Sequence, residues 1–211
     1  MRKRVPLALA SLTLLGLAAG MARAAVEAEA IPDDIIKQAA PVLAKAVQEQ
    51  IPTPPIKVDP DIEKAQGMHA LEAVGVVILP DRMLNDKSVA DSKDKKTPAG
   101  LLLTRNLSVE KDGVGIGGEK LATVEVVGLG KAATFFLDVK GDKEEGRTLE
   151  LYSKKDDEPL ATTPLKKKDG EAKPNLVVKL TNIDPEKKVG DVVFSFPGGY
   201  EATVKLAYVE P

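Results

Sequence analysis

The sequence predicts an all-β fold, an antiparallel β-sandwich with a short helical appendage on its N-terminal side. Three observations predict it. After about Ala70 apolar and polar residues alternate with period two, turn-forming glycines and prolines separate the alternating runs, and the one stretch with helical spacing precedes a proline-rich segment.

Residues 1–24 have the order of a secretory signal peptide. Arg2, Lys3 and Arg4 form a positive start, Val5 to Gly20 is uncharged and apolar, and Ala22-Arg23-Ala24 supplies small residues at a cleavage site. A membrane anchor needs about 20 apolar residues and a basic stop after them; here no basic cluster follows. The expectation is cleavage after Ala24 and release to the periplasm or the extracellular space, with no membrane attachment afterwards. There is no cysteine to carry a lipid.

Residues 25–50 form the N-terminal segment with a kinked amphipathic helix. From Asp33 to Gln50, Ile36, Ala40, Leu43, Val47 and Ile51 recur at helical spacing, and Asp33 and Asp34 suit the positive end of the helix dipole. Pro41 lacks the amide that would bond the carbonyl of Lys37, so a kink or break is expected near Ala40. Residues 51–60 hold Pro52, Pro54, Pro55 and Pro60, an extended linker.

Residues 61–211 read as the β-sandwich domain. Val74–Leu79 and Leu101–Leu103 are continuous apolar runs expected of central strands. Ala122, Val124 and Val126 share a face, as do Phe135, Leu137 and Val139, with Thr134, Phe136, Asp138 and Lys140 on the outer side. Leu149 and Leu151 alternate with Thr148, Glu150 and Tyr152. Leu176, Val178 and Leu180, then Val192, Phe194 and Phe196, then Ala202, Val204, Leu206 and Tyr208 complete the inward sets. Turn residues fall at 111–113, 140–142, 168–170 and 197–199. Alternation with a polar outer face argues for antiparallel rather than parallel strands. The stretches 86–96 and 154–173 read as long surface connections.

Composition narrows function. Removing residues 1–24 leaves 26 basic against 32 acidic residues, a formal net charge of −6, which disfavours nucleic acid as a partner. The absence of cysteine removes thiol catalysis and disulfides. Four Phe, three Tyr and no Trp leave few rings for stacking a sugar or a base.

No motif rises to a site. The glycines at 113, 115 and 118, and again at 128 and 130, spell dinucleotide-like loops, but β-patterned residues follow where a phosphate-binding helix is required. They are expected to be turn glycines. His69 is the only histidine, too few for a zinc site or a triad without further partners. Ser92-Lys-Asp-Lys95 matches a serine-x-x-lysine element by chance in a charged stretch, and Ser195 sits on the polar face of a strand. Asp59, Asp61 and Glu63, and Asp156, Asp157 and Glu158, lack the order of a calcium loop. Asn106-Leu-Ser108 is a glycosylation sequon. No catalytic, cofactor-binding or metal-ligating residue is assigned, and no cofactor is implied.

The segment Phe196-Pro-Gly-Gly-Tyr-Glu-Ala-Thr-Val-Lys-Leu206 resembles the Pro-Gly-x-Tyr-x-x-x-Val stretch near the end of bacterial secreted immunoglobulin-like domains, including polycystic-kidney-disease-type and pre-peptidase C-terminal modules. The resemblance covers residues 196–206. It implies an immunoglobulin-like or jelly-roll-type sandwich serving as an accessory module, with Tyr200 packing on the core edge and its hydroxyl capping the turn. The resulting expectation is an exported, non-enzymatic binding or structural module for a protein or polysaccharide partner. One alternative is assembly through the amphipathic helix; a carboxylate-dependent hydrolase is another.

Processing is directly testable: N-terminal sequencing of exported material should find Ala25 at or within a few residues of the start, and intact Met1 in a membrane fraction would refute it.

Overall fold

The computed structural model describes residues 26–70, 74–92, 96–112, 114–142, 146–154, 158–168 and 172–209; the signal-like segment lies outside them. Among the described residues thirteen strands and two α-helices follow in order: β1 (Glu29–Ala30), α1 (Asp33–Gln50), β2 (Gln66–Ala70), β3 (Val74–Pro80), α2 (Asp86–Ala90), β4 (Thr97–Arg105), β5 (Leu107–Lys111), β6 (Val114–Gly115), β7 (Ala122–Val126), β8 (Gly130–Asp142), β9 (Gly146–Tyr152), β10 (Ala161–Lys167), β11 (Val177–Asp184), β12 (Val189–Phe196) and β13 (Tyr200–Tyr208). The strands form one antiparallel sheet in the order β1-β2-β3-β4-β8-β9-β10-β13-β12-β11, with β7 on β8, β5 on β13 and β6 on β5.

The sheet curls because β10 turns a corner. Its residues Ala161–Leu165 pair with β9, and Lys166 and Lys167 pair with β13. The curl brings the far strands together: Gln66 Nε2 donates to the Leu176 carbonyl at 3.2 Å, and the Leu180 amide approaches Met68 Sδ at 3.3 Å. Side chains from both halves fill one interior, with Phe135, Leu137 and Leu151 facing Phe194, Phe196 and Val204 across it. β10 falls within a stretch expected to be a loop. Thr162, Pro164 and Lys166 hide its strand character, since Leu165 alone is deeply buried.

Helix α1 has the expected bounds, and its stripe folds back on the sheet. Ala40, Leu43, Ala46 and Val47 pack on the outer face against Leu101, Leu103, Val124, Val126 and Phe136. Gly67 lets the helix start close, because a Cβ there would lie 2.5 Å from Ile36 Cδ1. At the other end the Gln50 side chain brackets the free edge of β7, donating to the Glu125 carbonyl and accepting its amide, both at 2.9 Å. An uncovered strand edge is thereby capped. Of the kink or break expected near Ala40, the break does not occur: the helix runs through Pro41. Lys37 and Pro41 both lie on the solvent-exposed side of the helix, where a lost backbone hydrogen bond is least costly.

The proline-rich segment after α1 forms a strap over the same face. Ile56 is buried in the layer beneath the helix, and Lys96 Nζ reaches the Pro55 carbonyl at 3.5 Å. The strap ends at buried Asp81, whose carboxylate accepts the amides of Asp59 at 2.9 Å and Met83 at 2.8 Å. α2 also interrupts a stretch expected to be a loop. Asn85 and Ser88 form a reciprocal capping box, and Arg147 caps the other end, donating from Nε to the Val89 carbonyl at 2.8 Å and from Nη2 to that of Ala90.

Buried Leu43 should contribute much more than its exposed neighbour. Leu43→Ala is expected to cost about 2–4 kcal/mol in chemical denaturation, and Val42→Ala less than about 0.5 kcal/mol.

Candidate functional site

Strand β8 is buried on both faces. Phe135, Leu137 and Val139 enter the interior, while Thr134, Phe136 and Asp138 point to the side that α1 and the strap cover. The expected polar outer face of this strand is therefore not a solvent face. Asp138 stands directly opposite Glu150 of β9, and such cross-strand neighbours have Cβ atoms about 5 Å apart. Asp138 is 0 % and Glu150 8 % exposed.

Glu150 is satisfied by the Tyr152 hydroxyl, which donates to Oε2 at 2.6 Å. No side chain hydrogen-bonds the Asp138 carboxyl. Burial, and then the facing Glu150 carboxylate, push the Asp138 pKa up to about 7, against weaker pulls from the Thr97 amide, Lys96 and Lys140. Burial and the bond to Glu150 also raise the Tyr152 phenol, which stays neutral. Lys96 lies 4.6 Å from the Tyr152 ring centre.

Beside this cluster opens a cleft of about 1090 Å³. Pro41, Ala44 and Val47 of α1 form one wall, and Pro52, Pro54 and Val58 of the strap another. Leu101 and Phe136 lie at its base next to Thr97 and Pro98. Phe136 is two residues from Asp138 on the same strand face, and Pro98 is the register partner of Asp138, so cleft and carboxyl pair adjoin. The charged lining residues are Lys45, Lys57, Asp59 and Asp81. Both acids are engaged, Asp81 by two amides and Asp59 by Arg82 Nε at 3.5 Å. Lys45 lies 3.7 Å from Glu49. Lys57 has no ion-pair partner among the described residues.

The motifs weighed in the sequence are not gathered here. Gly128 and Gly130, at φ 85° and 81°, make the β7–β8 turn, and Gly118 opens a single 3-10 turn; Gly113 lies outside the described residues. His69, half exposed, sits on β2 with Nε2 3.8 Å from Glu29. Ser92 is buried and donates to the Val89 carbonyl at 3.0 Å, and Lys93 to Lys95 lie outside the described residues. Ser195 pairs within β12. Asp61 bonds Lys64 at 2.9 Å, which holds its carboxyl below the usual range; Asp156 and Asp157 are outside the described residues. No group of three or more metal-ligating side chains gathers among the described residues. The Tyr200 hydroxyl accepts from Arg147 Nη1 at 3.2 Å rather than capping its turn, and the ring lies between Arg147 and Lys167. Ser108 of the sequon is fully buried.

Asp138 was missed because alternation assigned it to water. The available signal was Phe136 and Tyr152 on the same nominally polar faces. No protein-family model, curated protein or solved structure matches the chain.

The Asp138 carboxyl makes stability depend on pH with a definite sign. Its folded pKa lies above the ordinary value of 3.8, so the native state holds the proton more tightly. Its stabilising contribution is full below about pH 4 and is lost as pH rises through about 7, on the order of 4 kcal/mol in all. Asp138→Asn should flatten this decline and raise the melting temperature at roughly pH 8. An unchanged stability–pH curve would contradict the assignment.

Proposed function

We propose that the chain is an exported, non-enzymatic binding module whose cleft holds an amphipathic anion, an apolar body bearing one acidic group. The observation that carries this reading is the cleft itself, an apolar base at Leu101 and Phe136 with Lys57 at its lining and both neighbouring acids engaged elsewhere. Pockets of this kind take most of their affinity from apolar contact and their orientation from a few polar groups.

Other ligand classes fit less well. All four Phe are buried, and each of the three Tyr rings has a Lys or Arg over it. No free ring surface is left among the described residues for stacking sugars. The carboxyl pair a hydrolase would use is sealed from solvent, with no room for a substrate between its members. The two halves of the curled sheet, facing each other across one interior, favour the immunoglobulin-like sandwich reading, and export rests on the order of residues 1–24. No helix among the described residues is long and apolar enough to cross a membrane.

A partner-docking reading keeps one observation of its own. Beside the first half of α1 an apolar groove of about 200 Å³ is lined by Ile35, Val77, Leu103 and Leu129, and Ile35 is 50 % exposed. The main stripe of the helix, however, is spent on its own sheet.

Anilinonaphthalene sulfonate, an amphipathic anion with an environment-sensitive fluorophore, tests the cleft. Saturable binding to the folded chain is expected. Ala44→Trp should abolish it by filling the wall, and Lys57→Glu should weaken it by about tenfold. Binding indifferent to both substitutions would remove the cleft from consideration.

A further inference from the structure

We propose that the Asp138–Glu150 pair is a proton-operated latch on the cleft. While Asp138 is protonated the strap stays seated, and loss of that proton releases the strap and opens the base of the cleft. The proposal rests on the cleft being the binding site.

Its geometry is a chain of contacts from the carboxyls to the strap. Asp138 and Glu150 face each other at one register position, sealed from solvent; no side chain hydrogen-bonds the Asp138 carboxyl, and the pull of the Thr97 amide is weaker than the effect of burial. Above the pair, Lys96 lies over the Tyr152 ring and donates to the Pro55 carbonyl of the strap. Tyr152 is tied to Glu150. One cation therefore touches both the ring anchored to the pair and the backbone of the strap.

The charged and titratable groups acting on Asp138 are few. Glu150 and Tyr152 come from β9, Lys140 from β8 itself, and Lys96 from the residue before β4. The facing segment of β10, Ala161 to Pro164, carries no charge. On the strap, Lys57 lies two residues beyond Pro55 and lines the cleft. When Asp138 loses its proton, its carboxylate faces that of Glu150 in a poorly screened site and requires water or a cation. Lys96 is the cation whose move inward also breaks a strap contact. Water then enters between the strap and Pro98, beside the base of the cleft. The pKa of Asp138, about 7, places the change near neutrality.

The test is amide hydrogen exchange of residues 51–59 in the full chain at roughly pH 6 and roughly pH 8.5, corrected for intrinsic rates. Protection should fall by about tenfold or more in the wild type and stay constant in Asp138→Asn. Constant protection in the wild type, or an equal fall in Asp138→Asn, overturns the latch. If Asp138→Asn does not fold, Lys96→Met replaces it: the strap should then be poorly protected at both pH values, and full protection at the lower one overturns the proposal.

Anilinonaphthalene sulfonate, whose charge is constant over this range, separates the two readings. Binding that strengthens with pH alongside strap release supports both. Strap release without binding at either pH supports the latch and refutes the cleft as the anion site. Equal binding at both pH values with a protected strap refutes the latch and leaves the cleft standing.

Discussion

Burial of strand β8 on both of its faces is the constraint on which the rest of the structure depends. Its inward side chains, Phe135, Leu137 and Val139, join the interior of the curled sheet. Its outward ones would face water if α1 were removed. The helix and the strap convert that second face into another apolar layer, in which Leu43 and Val47 meet Phe136 and Val124. A sheet of this length would otherwise expose a broad apolar surface, which invites association.

Covering the second face has an electrostatic consequence. Asp138 and Glu150 fall on it, in register, because both strands alternate and β8 pairs with β9 through seven consecutive positions. In water two such carboxylates would both ionise. Beneath the strap the local dielectric is low and repulsion is little screened, so Asp138 keeps its proton to near neutral pH. Fold, titration and strap are therefore one coupled problem. Sealing the face creates the charge problem, and the contacts of Lys96 and Tyr152 bind the pair to the element that seals it.

Much of the fold was legible in the sequence, for identifiable reasons. Helix α1 was read to its end residues because its apolar positions repeat strictly and a proline run stops it. Strands β7, β8, β12 and β13 announced themselves through period-two alternation. β10 and α2 did not, one being too polar on its outer side and the other only five residues long. The candidate site was the least legible part. Alternation shows that Asp138 and Leu137 point to opposite sides of a strand, but not whether the second side is wet. Phe136 and Tyr152 carried that information, as did an apolar helical stripe that the residues after Pro60 let fold back onto an open face of the sheet. Pro41 shows the limit of a local rule: the helix continues through it without a break.

The measurement closest to the central claim is a side-chain carboxyl titration of the folded full chain by carbon-13 NMR, following Asp138 and Glu150. An apparent midpoint near 7 for the Asp138 carbon is the result expected of a carboxyl buried opposite another. Titration of Asp138 in the ordinary range near 4 would contradict it. The second face of β8 would then be open to water, and the account of strap, pair and cleft built upon its burial would fall.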